Sequence, residues 1–342
     1  MKRLNKFKNI IVTGGAGFIG GAFIRRIIKN KNQKIFNIDK CGYASDLKSL
    51  KEFSTFDNYK FIKVDLINFE KIDKNIKEIK PDLIIHFAAE SHVDRSINGP
   101  KSFIESNIIG TFNIIEAARK YWETLTSEKQ QFFLFHHVST DEVFGSLQNK
   151  EDLFSENSRY DPRSPYSASK ASSDHIVRSW FHTYQLPITI SNCSNNFGPW
   201  QFPEKLIPLT ITNAIKGKNI PLYGDGMNIR DWLFVEDHIS AILKVIDIGK
   251  LGETYCIGSK NERTNLEIVN QICKILDQLR PSSQSYSNLI KKVNDRPGHD
   301  RRYAINPSKI STELSWEPKY SFEESLKSTI NWYIQNEDWW EK

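Results

Sequence analysis

Two adjacent acids, Asp141 and Glu142, directly follow Thr140 at the end of an apolar run that begins at Phe132. Acids after a strand are ordinary in any solvated loop. In an α/β enzyme, however, ligands bind at the carboxyl ends of parallel strands, so this pair could act as an acid and a base on a substrate. Neighbouring carboxyls in a dry cleft can repel each other into opposite protonation states, which would leave one as an acid and the other as a base. Both side chains can reach one substrate only if the strand has already turned into a loop, which Gly145 makes plausible.

Tyr166 and Lys170 form a second reactive pair, four positions apart at the start of a predicted helix and hence on one face. A phenol with a pKa of about 10 is a poor base at neutral pH. Lowering that pKa by ~3 requires ~4 kcal/mol of preference for phenolate, which a neighbouring ammonium and a second positive charge nearby could supply together. A Tyr-x-x-x-Lys spacing alone is common and usually means a core aromatic and a solvated lysine.

A glycine-rich turn, "IIVTGGAGFIGG" at 10–21, places Gly14, Gly17 and Gly20 between a strand and a helix. Such glycines allow positive φ, close approach of the backbone to a pyrophosphate and tight packing of the helix, whose N-terminus offers free N–H groups to an anion. A glycine-rich turn is weak evidence by itself. The function that this turn predicts is binding of a dinucleotide.

Asp39 strengthens that prediction because it closes the second strand about 20 residues past the last glycine, where an acid accepts both ribose hydroxyls of NAD. The same acid would repel the 2′-phosphate of NADP. Lys40 follows it but no Arg does, so the sequence favours NAD. Asp65 ends the third strand and is either an adenine contact or a solvated strand end.

The elements that must hold these residues alternate between short apolar runs and longer amphipathic ones. The predicted strands are Asn9–Val12, Lys34–Ile38, Tyr59–Val64, Leu83–Phe87, Phe132–Val138 and Pro187–Ser191. The predicted helices between them include Ile19–Lys29, Ile104–Tyr121 and Tyr166–Tyr184. This alternation predicts an α/β fold with a doubly wound parallel (Rossmann) sheet, because parallel neighbours require crossovers.

The pattern changes after about residue 192, where prolines interrupt it and short strands such as Ile220–Tyr223 mix with isolated helices such as Asn265–Leu279. We therefore expect an NAD-binding domain at 1–191, to which the chain returns around 230–257, and a smaller α/β domain for the substrate at 192–342. The return is expected at Arg230–Ile248 and Thr254–Ile257.

Composition excludes several classes of function. The chain has 342 residues, 39% hydrophobic and 26% charged, and its net charge of +6 is spread without a basic block, so no nucleic-acid partner is expected. No run approaches membrane-spanning length, and Ile10–Val12 is too short for a secretory signal. Four scattered cysteines indicate neither a disulfide framework nor a zinc site, so we expect a cytoplasmic protein without a metal.

Several long motifs together resemble an enzyme family. They are "HFAAESHVDRSINGP", "STDEVFG", "SPYSASKASSDH", "NCSNNFGPWQFPEKLIP", "IRDWLFVEDH" and "DRPGHDRRYAI", followed by the terminal "WYIQN" and "WW". The glycine turn, Tyr166 and Lys170 resemble an extended short-chain dehydrogenase/reductase. The full set, in order over essentially the whole chain, resembles the dTDP-glucose 4,6-dehydratase family within it.

The resemblance implies a role for each reactive residue. Tyr166 would take the 4-hydroxyl proton while hydride leaves the sugar C4 for NAD, and Thr140 would hydrogen-bond that hydroxyl. Glu142 would remove the C5 proton of the 4-keto sugar, and a protonated Asp141 would donate to the departing C6 hydroxyl. Hydride would return to C6, so no external reductant is needed, and the product would be dTDP-4-keto-6-deoxyglucose, a precursor for rhamnose-type deoxysugars.

The resemblance also implies the binding residues. The NAD site would comprise Gly14, Gly17, Phe18, Ile19, Gly20, Asp39, Lys40, Asp65, Leu66, Ala88, Ala89, Ser106, Tyr166, Lys170 and Asn196. The dTDP-glucose site would comprise Ser91, Thr140, Asn195, Lys205, Leu206, Pro221, Tyr223, Arg230, Asn265, Arg296 and His299. Arg230 and Arg296 would neutralise the pyrophosphate, and Tyr223 would stack on thymine. From sequence alone Tyr223 is equally well a core residue, whereas the basic side chains and His299 of "DRPGHDRRYAI" suit an anion site.

Two positions depart from the family pattern: Phe144 stands where Tyr is common, and Ser106 stands where Thr is usual near the nicotinamide. Both keep shape or a hydroxyl, so we expect activity to survive. The resemblance further implies a homodimer formed through the helices at Ile104–Tyr121 and Tyr166–Tyr184, against ordinary packing within one subunit.

Three alternatives remain. A nucleotide-sugar 4-epimerase would share the glycine turn, Tyr166 and Lys170 but would not need Asp141 and Glu142. A GDP-mannose or UDP-sugar dehydratase would need similar chemistry, and the choice of thymine depends on the resemblance of the second half. A noncatalytic NAD-binding regulatory module is the third, because fold alone does not give function.

Overall fold

Parallel strands form a large sheet, and the elements that carry Thr140, Glu142, Tyr166 and Lys170 lie at or beside it. The computed structural model describes residues 3–341; Met1, Lys2 and Lys342, which belong to the predicted ranges 1–191 and 192–342, lie outside the described residues. The described strands are β1 (Asn9–Thr13), β2 (Lys34–Asp39), β3 (Tyr59–Lys63), β4 (Leu83–His86), β5 (Leu134–Thr140), β6 (Ile188–Cys193), β7 (Asn195–Phe197), β8 (Ile220–Tyr223), β9 (Ile229–Phe234), β10 (Thr254–Ile257), β11 (Glu262–Thr264) and β12 (Ile290–Val293).

Helices of very different lengths connect these strands. They are α1 (Phe18–Ile27), α2 (Phe69–Ile79), α3 (Val93–Asn98), α4 (Lys101–Phe103), α5 (Gly110–Glu123), α6 (Ser127–Phe132), α7 (Pro165–Tyr184), α8 (Leu206–Ile215), α9 (Val235–Ile248), α10 (Asn265–Leu279), α11 (Ser308–Leu314), α12 (Phe322–Gln335) and α13 (Glu337–Trp340). Among the residues that the structure describes, none of the helices combines the length and apolar character needed to cross a bilayer.

The large sheet has seven parallel strands in the order β10-β6-β5-β4-β1-β2-β3, which confirms the predicted doubly wound fold. The strand order reverses beside β1 and β4, and the crevice at such a point is where ligands bind in open α/β sheets. Two apolar cores cover the two faces, one around α1 and α9 and the other around α2, α5 and α7.

The second half adds two small sheets, β11-β9-β7 and β12-β8, over a third apolar core. The chain returns to the large sheet at β10, which pairs with β6. The expectation for Arg230 was wrong in one respect, because its strand β9 joins β7 and β11 rather than the large sheet, while α9 after it packs on α1.

Two predicted boundaries shift for local reasons. Phe132 closes α6 instead of opening β5, whose strand begins at Leu134. The predicted helix Ile104–Tyr121 is not uniform, since Ile104–Ile109 is a π-helix that leads into α5. In this π-turn the Asn107 carbonyl accepts a hydrogen bond from the Ser173 hydroxyl (2.5 Å), and the Asn107 side chain bonds Glu90 through both its amide atoms.

A cluster of aromatic side chains near the carboxyl end of the described chain joins two distant loops. Trp339 packs against Trp200 and Trp332 with ring centroids 5.3 and 5.2 Å apart. The indole N–H of Trp339 donates to the carboxylate of Asp46, and the phenol of Tyr333 donates to the carbonyl of Gln201. The aromatic cluster therefore ties the loop after β2 to the loop before α8.

Candidate active site

A cavity of about 430 Å³ lies at the carboxyl ends of the central strands, between the large sheet and the second half of the chain. Its volume falls in the range of small-molecule sites. It runs from the glycine turn, past Tyr166, to Arg230 and Arg296. Every predicted site residue lines it, with one exception among the described residues, Asp141.

The glycine turn forms a cradle that a side chain would fill. Gly14 has a φ of +72°, and a Cβ added there would lie 2.6 Å from the backbone nitrogen of Ala88. A Cβ on Gly20 would meet the carbonyl oxygen of Gly14. Helix α1 starts at Phe18 without a side-chain cap, so its first N–H groups are available to an anion in the cavity. The turn therefore suits the pyrophosphate of a dinucleotide.

Asp39 ends β2 with its carboxylate held in place by hydrogen bonds. The backbone N–H of Ala16 donates to one oxygen (3.0 Å), and the N–H of Cys41 (2.7 Å) and the hydroxyl of Ser45 (3.2 Å) donate to the other. Burial raises the pKa of Asp39, but these donors and Lys40 oppose the shift. The arrangement fixes an acid at the ribose position of the cradle.

Lys40 is not free to meet a phosphate. Its ammonium lies 2.7 Å from the carboxylate of Glu90 and donates to the hydroxyl of Ser106 at 2.7 Å. Ser106 reaches it from the π-turn described above. The positive charge beside Asp39 is therefore already compensated, which agrees with the preference for NAD inferred from Asp39.

Tyr166 and Lys170 lie in the first turns of α7, which a capping box between Ser164 and Ser167 and a proline at its first position define. The Lys170 ammonium donates to the carbonyl of Val138 at 2.9 Å. Burial and the charge of Glu142 raise the pKa of Tyr166 well above its ordinary value, while a hydrogen bond with Thr140 acts in the opposite direction. Lowering that pKa therefore depends on positive charge close to the phenol.

The acid pair follows β5 in a short 3₁₀ turn, Asp141–Phe144, that ends at Gly145 with a φ of +84°. This turn points the two carboxyls in different directions. Glu142 lines the cavity, whereas Asp141 is only 1% exposed and lies behind it. The Thr140 hydroxyl donates to Asp141 Oδ1 at 3.3 Å, and Asp141 Oδ2 has no hydrogen-bond partner. Of the two acids that were expected to reach one substrate, Glu142 alone lines the cavity.

The two acids also differ electrostatically. Burial and the neighbouring charge of Glu142 raise the pKa of Asp141 well above its usual range, which favours a protonated carboxyl. Burial raises the pKa of Glu142 too, but Lys205, Arg296 and Arg230 all favour its charged form. Of the two carboxyls, Asp141 is therefore the one that more strongly favours the protonated form.

Charged and aromatic side chains line the far end of the cavity. Arg230 donates to the carbonyls of Ile229 (2.7 Å) and Asp300 (2.9 Å), which orient its guanidinium. Arg296 and Tyr223 both contact Asp94, at 3.4 and 3.3 Å. Two cations and an aromatic ring at this end suit a nucleoside diphosphate. The remaining predicted members, Asn265 and His299, also line this end.

The motif "DRPGHDRRYAI" divides between the site and the scaffold. Arg296 and His299 line the cavity, but Arg301 pairs with Asp225 at 3.0 Å on the surface. Arg302 pairs with Glu262 at 2.6 Å and donates to two carbonyl oxygens of a neighbouring loop. Only part of the basic motif therefore faces the cavity.

Several lining residues were missed by sequence reasoning. Glu204 accepts a hydrogen bond from the Tyr43 hydroxyl at 3.0 Å and lies 3.7 Å from His92. Its neighbour Lys205 donates to the Ser91 carbonyl at 2.6 Å. The position of Glu204, directly before the predicted site residue Lys205, could have indicated that it lines the cavity. No sequence pattern indicated Tyr43, because it lies in an irregular loop.

Phe144 lies outside the cavity lining. Its ring stacks on Phe154 with centroids 5.2 Å apart and meets the edge of Tyr160 at the same distance. Phe144 is buried behind the acid pair. A tyrosine at this position would therefore place its hydroxyl in the core and not in the cavity. Within residues 3–341, no cluster of three His, Cys, Asp or Glu side chains is arranged to hold a metal ion.

The chain is similar to known nucleotide-sugar dehydratases over nearly its whole length. The family model described as GDP-mannose 4,6 dehydratase matches residues 11–329. A dTDP-glucose 4,6-dehydratase of Neisseria meningitidis serogroup B is 52% identical over 338 residues, covering 98% of this chain and 95% of that relative. The crystal structure of a dTDP-glucose 4,6-dehydratase from Bacillus anthracis in complex with NAD is 45% identical with a TM-score of 0.85, covering 98% and 99% of the two chains. The dTDP-glucose 4,6-dehydratase DesIV from Streptomyces venezuelae, with NAD and a second ligand bound, is 38% identical with a TM-score of 0.88, covering 97% and 98%.

Proposed function

Because the chain belongs to the dTDP-glucose 4,6-dehydratase family of extended short-chain dehydrogenase/reductases, we propose that it removes water from dTDP-glucose to give dTDP-4-keto-6-deoxyglucose. The observation that carries this proposal is that one cavity holds Tyr166, Lys170 and Glu142 between a dinucleotide cradle and a cationic end.

NAD fits the cradle formed by the glycine turn. Gly14, Gly17 and the start of α1 would hold the pyrophosphate, and Asp39 would hold the ribose. When bound, NAD supplies an acceptor for the hydride of the sugar C4 and later a donor to C6. The chain's own residues must then handle the protons.

Each proton has a candidate residue. Tyr166 accepts the 4-hydroxyl proton, and Thr140, whose hydroxyl lies beside it, positions that hydroxyl. Glu142 removes the C5 proton, which the 4-keto group has made acidic, and later returns a proton there. Asp141 is the proton donor to the departing 6-hydroxyl, because its carboxyl is the more protonated member of the pair and Oδ2 is unpartnered. This role requires the Asp141 side chain to turn toward the cavity.

The nucleotide would occupy the far end of the cavity. Arg230 and Arg296 would neutralise its diphosphate, and Tyr223 would stack on thymine while Asn265 and His299 line the same end. The choice of thymidine over uridine or guanosine rests on the relatives that this chain resembles.

Mass spectrometry of the nucleotide sugar after incubation in D2O tests the proposal. Purified protein is given dTDP-glucose, UDP-glucose or GDP-mannose separately. We expect loss of water with one solvent deuteron at C5, preferentially from dTDP-glucose. Epimerisation without water loss would favour a 4-epimerase, and no change with any sugar despite bound NAD would favour the regulatory module.

Glu142→Gln separates oxidation from elimination. The variant should still oxidise C4 reversibly, because Tyr166 and Lys170 are intact, but it should lose water about 10²–10⁴-fold more slowly. Transient reduced nicotinamide absorbance reports oxidation, and the mass of the nucleotide sugar reports loss of water. Tyr166→Phe is the matched control that should block oxidation itself. Full turnover by Glu142→Gln would remove Glu142 from the mechanism.

We also propose the wider context expected from the family. The range 1–191 with its return at β10 would bind NAD, and 192–342 would mainly bind the nucleotide sugar. A cytoplasmic homodimer feeding rhamnose-type deoxysugar synthesis would bury α7 and the helical segment Ile104–Tyr121, which comprises the π-helix and most of α5. Exposed apolar side chains along these segments support the dimer, notably Ile109, Phe112 and Tyr184 at 40–44% exposure.

A further inference from the structure

Asp174 is a buried carboxylate one helical turn beyond Lys170 on α7, and the proposed mechanism does not use it. Both of its oxygens are engaged. His137 Nε2 lies 3.1 Å from Oδ1, and Oδ2 accepts from the Tyr160 hydroxyl at 2.7 Å and from the Asn192 amide at 3.1 Å. Such a donor set fixes a carboxylate in one orientation inside the core.

The charges in this cluster can be assigned. Burial disfavours ionisation of Asp174, but the hydrogen bond from His137 and the charge of Lys170 outweigh it and lower the pKa of Asp174 to about 2. Burial lowers the pKa of His137 to about 4, so its imidazole is neutral near pH 7. A neutral His137 facing an ionised carboxylate must carry its proton on Nε2, and its Nδ1 has no partner. Asp174 therefore brings a full negative charge into the core.

Lys170 is the cation placed to gain from this charge, because it lies four positions before Asp174 on the same face of α7 and is buried like it. The lysine is 4% exposed, and its ammonium makes one hydrogen bond among the described residues, to the Val138 carbonyl. Burial lowers the pKa of Lys170, and Asp174 is the leading opposing charge, followed by Cys193. Without a nearby anion, a lysine buried this deeply tends to lose its proton.

We propose that Asp174 is a positioning residue that keeps Lys170 positively charged beside Tyr166, through a carboxylate held by His137, Tyr160 and Asn192. The inference deepens the proposed function and rests on it, because Tyr166 is the base of that reaction. The residue acts on the phenol through Lys170 rather than by touching the sugar.

Other charged and titratable groups around the pair do not replace Asp174. Those that act on Tyr166 are Glu142, Cys193 and Asp141, and those that act on Lys170 or on the Asp174 cluster are Cys193, His86, His137, Arg178 and Tyr160. Neither Asp174 nor Lys170 is among the leading influences on Tyr166. Lys170 does lie one helical turn beyond Tyr166 on the same face of α7, and both residues line the cavity. Neutralising Asp174 should move the pKa of the phenol indirectly, by letting Lys170 lose its proton.

The direct test is a pH titration of the Tyr166 phenol in the NAD-loaded protein without substrate. Tyrosinate absorbance of each protein minus that of its Tyr166→Phe counterpart isolates this one phenol. We expect Asp174→Asn, which keeps the size of the side chain but removes its charge, to move the midpoint upward by about one pH unit, or tenfold less phenolate at a given pH. Asp174→Glu, which restores the charge, should return the midpoint toward that of the unaltered protein.

A matched control is Asp237→Asn. Asp237 is a buried carboxylate that accepts backbone hydrogen bonds from Lys319 (2.8 Å) and Tyr320 (3.3 Å) and does not line the cavity. This control should lose stability without moving the midpoint. If Asp174→Asn alone does not fold, the pair His137→Gln plus Asp174→Asn lets two amides bond each other and carries the same expected shift. An unmoved midpoint in the folded variant overturns the proposal.

Turnover of dTDP-glucose distinguishes this inference from the proposed function. If the unaltered protein forms no product, the proposed function fails, whereas the phenol titration still decides the role of Asp174. If it turns over, kcat of Asp174→Asn should fall about tenfold near neutral pH and recover as the pH rises. A uniform loss of kcat at every pH would instead indicate a purely structural role.

Discussion

Gly14→Ala is the sharpest test of the dinucleotide cradle, because the chain offers a matched control in Gly217→Ala. Both glycines have positive φ, +72° and +64°. A Cβ on Gly14 would lie 2.6 Å from the Ala88 nitrogen and 2.7 Å from its Cα, whereas a Cβ on Gly217 would meet nothing within 4 Å. The pair separates the cost of backbone conformation from the cost of close contact.

The expected magnitudes follow from these two terms. A left-handed conformation costs an alanine about 1–2 kcal/mol, which is the whole expected effect at Gly217. At Gly14, overpacking against backbone atoms adds about 1–3 kcal/mol, because the backbone cannot rotate away as a side chain does. We therefore expect Gly14→Ala to destabilise the fold by about 2–5 kcal/mol in total.

Urea unfolding of the nucleotide-free variants, followed by circular dichroism, measures both losses. Calorimetric titration with NAD provides the second comparison, in which only Gly14→Ala should weaken binding, because only Gly14 approaches the pyrophosphate position. Equal losses of stability in the two variants would refute the close contact. Unchanged NAD affinity in Gly14→Ala would refute the cradle.

Two further predictions concern charge. Glu90→Gln should remove the ion pair that holds the Lys40 ammonium and leave its charge available to the 2′-phosphate of NADP. An ion pair worth ~1 kcal/mol corresponds to a gain of about fivefold in the affinity for NADP relative to NAD. Equilibrium binding of both nucleotides measures the ratio. Stability should also depend on pH through the buried histidines, among them His136 and His238, whose pKa burial lowers to about 3. Because the unfolded chain binds their protons below about 6.5 and the folded chain does not, these two together should cost up to about 3 kcal/mol per pH unit as the pH drops from there toward 3. Urea unfolding near pH 7 and near 5.5 measures the loss of stability, which His238→Asn should reduce by about 1 kcal/mol, the share of one histidine; an unaltered loss would contradict the assignment.

Much of the fold was predictable from sequence because its signals are local. Alternating apolar runs and helical spacing are set by backbone periodicity, and the strands of the large sheet lie within two residues of their predicted positions. The π-helix at Ile104–Ile109 was not predictable in this way, because it depends on a hydrogen bond that the Ser173 hydroxyl of α7 donates to the Asn107 carbonyl. A contact across more than sixty positions leaves no periodic signal.

The sequence predicted which residues form the site better than it predicted which way their side chains point. Adjacent acids at the end of β5 predicted catalysis, yet only the turn that follows decides that Glu142 faces the cavity and Asp141 lies behind it. The three arginines of one motif look equivalent in sequence, but their partners separate Arg296 from Arg301 and Arg302. Tertiary pairing, rather than residue type, makes these distinctions.

The aromatic cluster around Trp339 has a consequence for the order of folding. Trp339 bonds Asp46 across 293 positions, and the loop that contains Asp46 includes cavity residues such as Tyr43. Contacts of such long sequence separation form late, because the intervening chain must first lose its freedom. We therefore expect the strands of the large sheet to assemble before the loop that contains Asp46 is fixed at the edge of the cavity.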